Sequence, residues 1–149
     1  KMAVIERHNH TGNIGKGFVK GFGLKHGALA SSVAHDSHNI IVVGTTDEDM
    51  RAALEAVVNM GGGLAAVSDT KILAELALPV AGLMSLEPVQ SVRDQLDRLI
   101  AVAHDMGSAL KDPFMTLSFL ALPVIPELKL TDIGLVDVNK FKVVPLFVE

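Results

Sequence analysis

The clearest hydrophobic pattern in the chain is a run of four β-branched residues at positions 40–43, which ends at Gly44. A continuous apolar run of this length is typical of a strand buried on both faces. The chain then changes to helical spacing. Apolar side chains recur three and four positions apart at Met50, Ala53, Leu54, Val57 and Val58. This spacing predicts an amphipathic helix that Thr45 or Thr46 caps and that the glycines at 61–63 end.

Two more strand-like runs and a second helix follow. Residues 64–67 and 72–78 are strand-like and are joined by a short polar turn, which predicts a hairpin. Pro88 is well placed as the first residue of a helix, and the apolar side chains after it keep helical spacing as far as Gly107. The sequence therefore places a helix after the hairpin.

The C-terminal part of the chain leaves one alternative open. Residues 114–122 are almost entirely apolar, and this composition is compatible with either a helix or a strand. Residues 131–134 predict a turn. Residues 135–138 and 143–148 predict late strands, the second of them at a sheet edge because it contains Pro145.

The order of these elements predicts an α/β domain, in which a mixed β-sheet carries helices packed on its faces. We expect one domain over residues 1–149, with the α/β core in residues 39–149. Residues 1–38 form a Gly/His-rich segment, because five of the six histidines and six of the 13 glycines lie between positions 8 and 38. Glycine permits tight turns and close backbone approach, so this N-terminal segment is predicted to be dominated by loops.

Composition excludes several classes of protein. Hydrophobic residues make up 49% of the 149 residues and charged residues 20%, so the chain is not intrinsically disordered. The net charge is −4 and no basic run is present, so we expect no nucleic-acid partner. The longest apolar stretch, residues 114–126, is shorter than the roughly 20 residues of a membrane span, so we expect a soluble protein with no membrane contact.

The chain contains no cysteine. Disulfides, thiolate zinc sites and cysteine nucleophiles are therefore excluded. The absence of cysteine is compatible with the reducing cytoplasm, which is the location we expect. Any metal site in the chain must use histidine and carboxylate ligands.

The first candidate site is the run Glu6-Arg7-His8-Asn9-His10. If this run continues a strand, alternate residues point the same way, and His8 and His10 can ligate one metal ion. The alternative, which we favour, is a solvated strand end at which His8 hydrogen-bonds to the backbone and Glu6 pairs with Arg7.

The second candidate site, Ala34-His35-Asp36-Ser37-His38-Asn39, leads into the buried run at 40–43. Two histidines separated by two residues, with Asp36 available to orient an imidazole or bind a metal, suit a metal or proton-transfer site at the mouth of a sheet. The same side chains could instead satisfy backbone groups at the strand end, and the sequence does not decide between the two. A triad of Ser37, His38 and Asp36 is not expected, because sequence neighbours seldom meet in triad geometry.

Residues 12–18 resemble a phosphate-binding loop only superficially. The segment lacks the Gly-Lys-Ser/Thr ending and does not follow a strand-to-helix pattern. We therefore reject nucleoside triphosphate binding and predict a tight structural loop.

Longer blocks of the sequence are similar to a known family. They are Glu6-Arg7-His8, Thr11-Gly12-Asn13-Ile14-Gly15 and the blocks at 17–24, 31–45, 61–67, 78–85 and 112–138. In this order, and over nearly the whole chain, they resemble the carboxy-terminal domain of bacterial adenine deaminase.

The resemblance implies an enzyme of the amidohydrolase superfamily that hydrolyses adenine to hypoxanthine and ammonia in purine metabolism. It implies a binuclear manganese or iron centre in a (β/α)-barrel that precedes this domain in the parent enzyme and is absent from this chain. The family's metal ligands and catalytic carboxylate belong to that barrel, so none is assigned to a residue here. We expect no cofactor to be firmly bound to this chain, and the isolated chain is expected to be inactive.

On this resemblance, we expect the Gly/His-rich segment to close over or buttress the metal site of the barrel. The candidate residues near the active site are Glu6, Arg7, His8, His35, Asp36 and His38. The expected partners are the barrel and the substrate adenine. One alternative is a structural or oligomerisation module without a part in the chemistry, whose apolar surplus serves the interfaces of a homo-oligomer. Another is an independent histidine-dependent metal-binding module.

Overall fold

The computed structural model describes residues 1–148, which form a six-stranded sheet, a three-stranded sheet and three helices. The six-stranded sheet contains β1 (Met2–Ile5), β2 (Ile14–Gly17), β3 (Ala28–Ser31), β4 (Ile40–Gly44), β5 (Gly63–Ser68) and β6 (Lys71–Ala77). The three-stranded sheet contains β7 (Leu128–Thr131), β8 (Gly134–Asp137) and β9 (Lys142–Val144). The helices are α1 (Asp47–Asn59), α2 (Val89–Asp105) and α3 (Pro113–Phe119).

The strands of the large sheet lie in the order β2-β1-β4-β3-β5-β6, and each neighbouring pair is antiparallel. The predicted α/β class is confirmed, but this sheet is antiparallel throughout rather than mixed. A strand, a crossover helix and a second strand ordinarily give two parallel neighbours. Here β4 and β5, which α1 connects, do run in the same direction, but β3 lies between them and pairs antiparallel with both.

Residues 1–38 contribute β1, β2 and β3, which together make up 12 of these 38 residues, so the segment supplies three strands of the large sheet as well as the connections between them. All four residues of β3 are buried. Its sequence, Ala-Leu-Ala-Ser, contains no β-branched or aromatic residue and therefore gives little strand signal. The five histidines between positions 8 and 38 all lie in connections between strands.

Helices cover both faces of the large sheet. Side chains that alternate along a strand point to opposite faces, so the central strands are buried on both sides. All five residues of β4 are buried, which agrees with the prediction for 40–43. The residues that pack with α1 on one face are Ala28, Ala30, Ile40, Val42, Ala65 and Val67. The residues that pack with α2 and α3 on the other face include Leu29, Ile41, Val43, Leu64 and Ala66.

Two helices begin at side-chain caps. The Thr46 hydroxyl accepts the N–H of Asp49 at 3.2 Å, at the start of α1. The Asp112 carboxylate accepts the N–H of Met115 at 2.9 Å, at the start of α3. The alternative left open for residues 114–122 is therefore resolved in favour of a helix, which ends at Phe119. Within residues 1–148, no helix is both long and apolar enough to cross a membrane.

The three-stranded sheet packs against β2, and this contact needs glycine. A Cβ atom on Gly15 would lie 1.8 Å from the carbonyl oxygen of Thr131. Residues 14–17 are thus a strand that the small sheet covers, rather than the tight loop predicted for 12–18.

The boundaries of the late strands differ from the predicted ones. The strand predicted at 143–148 ends at Val144, because Pro145 has no N–H to donate to the ladder. The turn predicted at 131–134 joins β7 to β8. β7 was not predicted.

We predict that Gly15→Ala lowers the free energy of unfolding by about 3 kcal/mol, because the added methyl group forces β2 away from Thr131. The matched control is Gly21→Ala. Gly21 has a φ of +89° but no atom within 4 Å of the position that an added methyl group would take, so only the backbone strain of about 1–2 kcal/mol applies. Urea unfolding of the two variants measures the difference. If both variants lose the same amount of stability, Gly15 is not needed for the close approach of β2 to Thr131.

Candidate functional site

Three connections meet at one end of the large sheet. They are residues 6–13 between β1 and β2, residues 32–39 between β3 and β4, and residues 78–88 between β6 and α2. The strand register brings them together, because Ile5 lies opposite Ile40 and Ser31 lies opposite Leu64. We call these three connections the loop end. All six candidate residues of the sequence analysis lie in it.

The carboxylate of Glu6 organises the first connection. Its oxygens accept the backbone N–H groups of His8, of Asn9 at 2.7 Å and of Thr11 at 3.0 Å, and the Thr11 hydroxyl at 3.1 Å. These donors, the Thr11 N–H foremost, favour the ionised carboxylate and lower the pKa of Glu6 to about 2. Glu6 therefore binds the backbone of its own connection. The expected ion pair of Glu6 with Arg7 is not among the ion pairs of residues 1–148.

Arg7 contacts the other two connections. Its Nε donates to the carbonyl oxygen of His38 at 2.6 Å, and its Nη2 donates to the carbonyl oxygen of Ala81 at 2.7 Å. Its backbone N–H donates to Oδ1 of Asn39 at 3.4 Å. Gly82 lies directly against the guanidinium, because a Cβ there would be 2.8 Å from Nη2. Burial lowers the pKa of Arg7 from its ordinary value.

His8 and His10 lie beyond the end of β1, in the first connection. The alternation of a strand therefore does not bring their side chains to one side. Nε2 of His8 lies 2.7 Å from the carbonyl oxygen of Ser37, which corresponds to the favoured interpretation that His8 bonds to backbone. His10 is exposed and has a φ of +54°.

His35 and His38 form a pair of imidazole rings. Their centroids are 5.5 Å apart and their planes are inclined by 70°, which is an edge-to-face contact. The ring of His35 also packs on Phe119 of α3, with centroids 5.0 Å apart. The backbone N–H of His35 donates to the carbonyl oxygen of Ser118 at 3.1 Å. α3 thus fixes His35, and His35 contacts His38.

The environment of His38 favours the neutral imidazole. Burial, the neighbouring His35 and the charge of Arg7 lower the pKa of His38 below its ordinary value of 6.5. Nδ1 of His38 accepts the N–H of Ala34 at 3.3 Å, so the proton of the neutral ring lies on Nε2. This arrangement leaves Nε2 as the atom that can donate a hydrogen bond outward.

Asp36 is not part of this ring contact, but its charge raises the pKa of His38 and so opposes the larger lowering effects. It is exposed, and together with Ser37 it borders a groove of about 420 Å³ whose other walls include residues 121–124 and 131–133. The mostly apolar walls come from the residues that follow α3 and from the β7–β8 turn. Asp36 is therefore placed toward the small sheet.

Polar residues other than the six candidates also hold the loop end together; Asn39 ends the second candidate run, whereas Ser32 and Asp132 lie outside both runs. Nδ2 of the buried Asn39 donates to Asp132 at 3.1 Å, which links the second connection to the small sheet. The fully buried Ser32 hydroxyl donates to the carbonyl oxygen of Gly82 at 2.6 Å and accepts the N–H of Gly63 at 2.8 Å. The only signal of Ser32 and Asp132 in the sequence is that each is a polar residue beside a strand end.

The described residues do not fit a metal centre of their own. Within residues 1–148, no three histidine, aspartate or glutamate side chains are grouped closely enough to hold a metal ion. A binuclear metal centre requires more than three ligands. No metal-dependent step is therefore assigned to this chain, and the hypothesis of an independent metal-binding module has no site in the described structure.

The fold and the loop end define an α/β domain that gathers polar side chains at one end of an antiparallel sheet. The chain belongs to the family described as the adenine deaminase C-terminal domain, whose model matches residues 1–142. Two curated relatives named adenine deaminase are similar to it. The protein of Desulfatibacillum aliphaticivorans is 66% identical over 147 residues, which is 99% of this chain and 26% of the relative. The protein of Methanothrix thermoacetophila is 60% identical over 149 residues, which is 100% of this chain and 26% of the relative.

A third relative, named adenine deaminase 2, comes from Carboxydothermus hydrogenoformans. It is 56% identical over 147 residues, which is 98% of this chain and 26% of the relative. The chain therefore spans about a quarter of the length of the curated relatives it matches.

We predict that Glu6→Gln lowers the free energy of unfolding at pH 7, because a neutral amide replaces the charged acceptor of three backbone N–H groups. The folded pKa of about 2 lies below the ordinary value of 4.5, so the stabilisation is complete above pH 4.5 and disappears as the pH falls toward 2. Urea unfolding at several pH values measures the difference in free energy of unfolding between wild type and variant. This difference should become smaller as the pH falls from 4.5 toward 2.

The matched control for Glu6 is Glu55→Gln. Glu55 is exposed on α1, 3.8 Å from Arg51, and such surface ion pairs contribute little. If the difference in free energy of unfolding between wild type and Glu6→Gln stays constant from pH 7 to pH 2, the assigned role of the carboxylate is contradicted.

Proposed function

We propose that this chain is the C-terminal domain of an enzyme that hydrolyses adenine to hypoxanthine and ammonia. The observation that carries the proposal is the identity of 66% with an adenine deaminase over 99% of this chain. The family model, which matches residues 1–142, supports the same assignment. In this reaction water adds to the carbon that bears the exocyclic amino group, and the amino group leaves as ammonia.

The metal chemistry of the proposed enzyme belongs to the part of the relatives that this chain does not cover. We propose a binuclear manganese or iron centre in a (β/α)-barrel there, with this domain packed against it. The lack of three grouped ligands within residues 1–148 supports a metal site outside the described residues. The cytoplasm, where a chain without cysteine is compatible with the reducing conditions, is the proposed location.

Within this enzyme, we assign to the loop end the role of closing or buttressing the active site. Adenine is flat, neutral and polar at its edges, so its site needs directed hydrogen-bond donors and acceptors and the exclusion of water. The His35 and His38 rings lie together at the loop end, and the lowered pKa of His38 favours a neutral imidazole near pH 7. A neutral imidazole can donate a hydrogen bond to substrate or exchange a proton with it.

A second candidate function is a structural or oligomerisation module. It is favoured by a set of exposed apolar side chains in and beside residues 78–88, namely Val80, Met84, Leu86 and Val89. Apolar side chains in such a cluster are typical of an interface. Light scattering on the purified chain, with and without manganese, tests this function, and a tight oligomer in the absence of metal would favour it.

We predict that His35→Ala and His38→Ala in the full-length enzyme each lower the turnover number for adenine by roughly ten-fold or more, because each removes an imidazole from the active-site wall. Steady-state kinetics and the metal content of the purified proteins are the measurements. The matched control is His104→Ala, since His104 lies on α2 and bonds to the carbonyl oxygen of Leu110. Turnover and metal content at wild-type levels in both variants would refute the assigned role of the loop end.

A further inference from the structure

Arg7 joins two connections that are distant in the sequence. Its Nε binds the carbonyl oxygen of His38, 31 residues away, and its Nη2 binds the carbonyl oxygen of Ala81, 74 residues away. Both are charge-assisted hydrogen bonds, which are stronger than bonds between neutral groups. The guanidinium is planar and presents its donors in a fixed arrangement, so it also sets the position of one carbonyl relative to the other.

The two residues that Arg7 binds have the same uncommon backbone conformation. The φ angle is +51° at His38 and +58° at Ala81, both in the left-handed region. A residue with a Cβ atom adopts this region at a cost, so the surrounding structure must hold it there. Arg7 thus binds the carbonyl groups of the two left-handed residues themselves, and not those of their neighbours.

The backbone of His38 determines where its ring lies. With the backbone held by Arg7, Nδ1 of the ring accepts the N–H of Ala34 at 3.3 Å, and the ring meets the edge of His35 at a centroid distance of 5.5 Å. A change in the left-handed turn at His38 would therefore rotate the ring away from both contacts.

Residues 78–88 have a second attachment that does not involve Arg7. The buried Ser32 hydroxyl donates to the carbonyl oxygen of Gly82 at 2.6 Å. This connection therefore keeps its position when the guanidinium is removed. His38 also keeps one bond of its own, because its backbone N–H donates to the carbonyl oxygen of Ala34 at 2.6 Å. An Arg7 substitution therefore releases the carbonyl side of His38, which Nε of Arg7 binds.

We infer that Arg7 is a positioning residue for the His35–His38 pair, because it binds the carbonyl oxygens of His38 and Ala81 and so holds the left-handed turn that carries the His38 ring. The inference rests on the proposed function, in which this ring pair faces the active site. We assign Arg7 itself no contact with the substrate.

The test is steady-state kinetics on the full-length enzyme with Arg7→Lys and Arg7→Ala. Both variants should lower kcat for adenine by roughly ten-fold or more, since misplacement of a group by about 1 Å can cost as much as a hundred-fold. KM for adenine and the metal content should stay close to wild type, because neither the remaining substrate contacts nor the metal ligands change. Arg7→Lys keeps the charge and most of the side chain, so it carries the test if Arg7→Ala does not fold.

The matched control is Arg51→Lys, on the exposed surface of α1, which should leave kcat unchanged. A wild-type kcat for Arg7→Lys would show that a positive charge suffices and would overturn the positioning role. If His35→Ala and His38→Ala reduce turnover while Arg7→Lys does not, the inference fails and the proposed function stands. If all three variants keep wild-type turnover, the role proposed for the loop end at the active site fails as well.

Discussion

The backbone pairing of β3 with two neighbours determines the shape of this domain. All four residues of β3 are buried, and its N–H and C=O groups are satisfied by β4 on one side and β5 on the other. Buried backbone groups without partners would cost about as much as lost hydrogen bonds, so the strand cannot leave this position without replacement partners. Because β3 lies between β4 and β5, the sheet becomes antiparallel, and residues 32–39 must reverse the chain at the end of the sheet where β1 also stops.

This reversal gives the polar residues of the loop end two different kinds of task. Glu6 and Arg7 bind backbone groups, the first within its own connection and the second across to His38 and Ala81. His35 and His38 instead present rings to each other. The candidate residues are therefore not equivalent. Two of them build the backbone of the loop end, and the two rings are the groups that this backbone supports.

The sequence predicts those parts of the fold whose signals are local. The apolar run at 40–43 predicts a buried strand, and the helical spacing after it predicts α1 with its threonine cap. β3 escapes prediction because alanine, leucine and serine do not favour a strand, and its burial comes from the neighbours that it meets only in the folded chain. The antiparallel order of the sheet depends on that same long-range pairing.

In the candidate site, too, the sequence predicts what depends on local signals and does not predict what depends on long-range contacts. The spacing of His35 and His38 indicates a cluster, but the packing of His35 on Phe119 depends on α3, which is far away in the sequence. The role of Arg7 could not be predicted from residue types, since both carbonyl groups that it binds belong to the backbone. Asn39 and Asp132 likewise pair across 93 residues.

We propose that the loop end of this domain completes the wall of an adenine-hydrolysing active site. The most direct measurement is a crystal structure of the full-length enzyme with bound hypoxanthine. We expect residues 32–39 to face the purine, with the ring of His38 on the side of the connection nearest to it. A structure in which this connection faces solvent or another subunit, with the purine enclosed entirely by the rest of the enzyme, would contradict it.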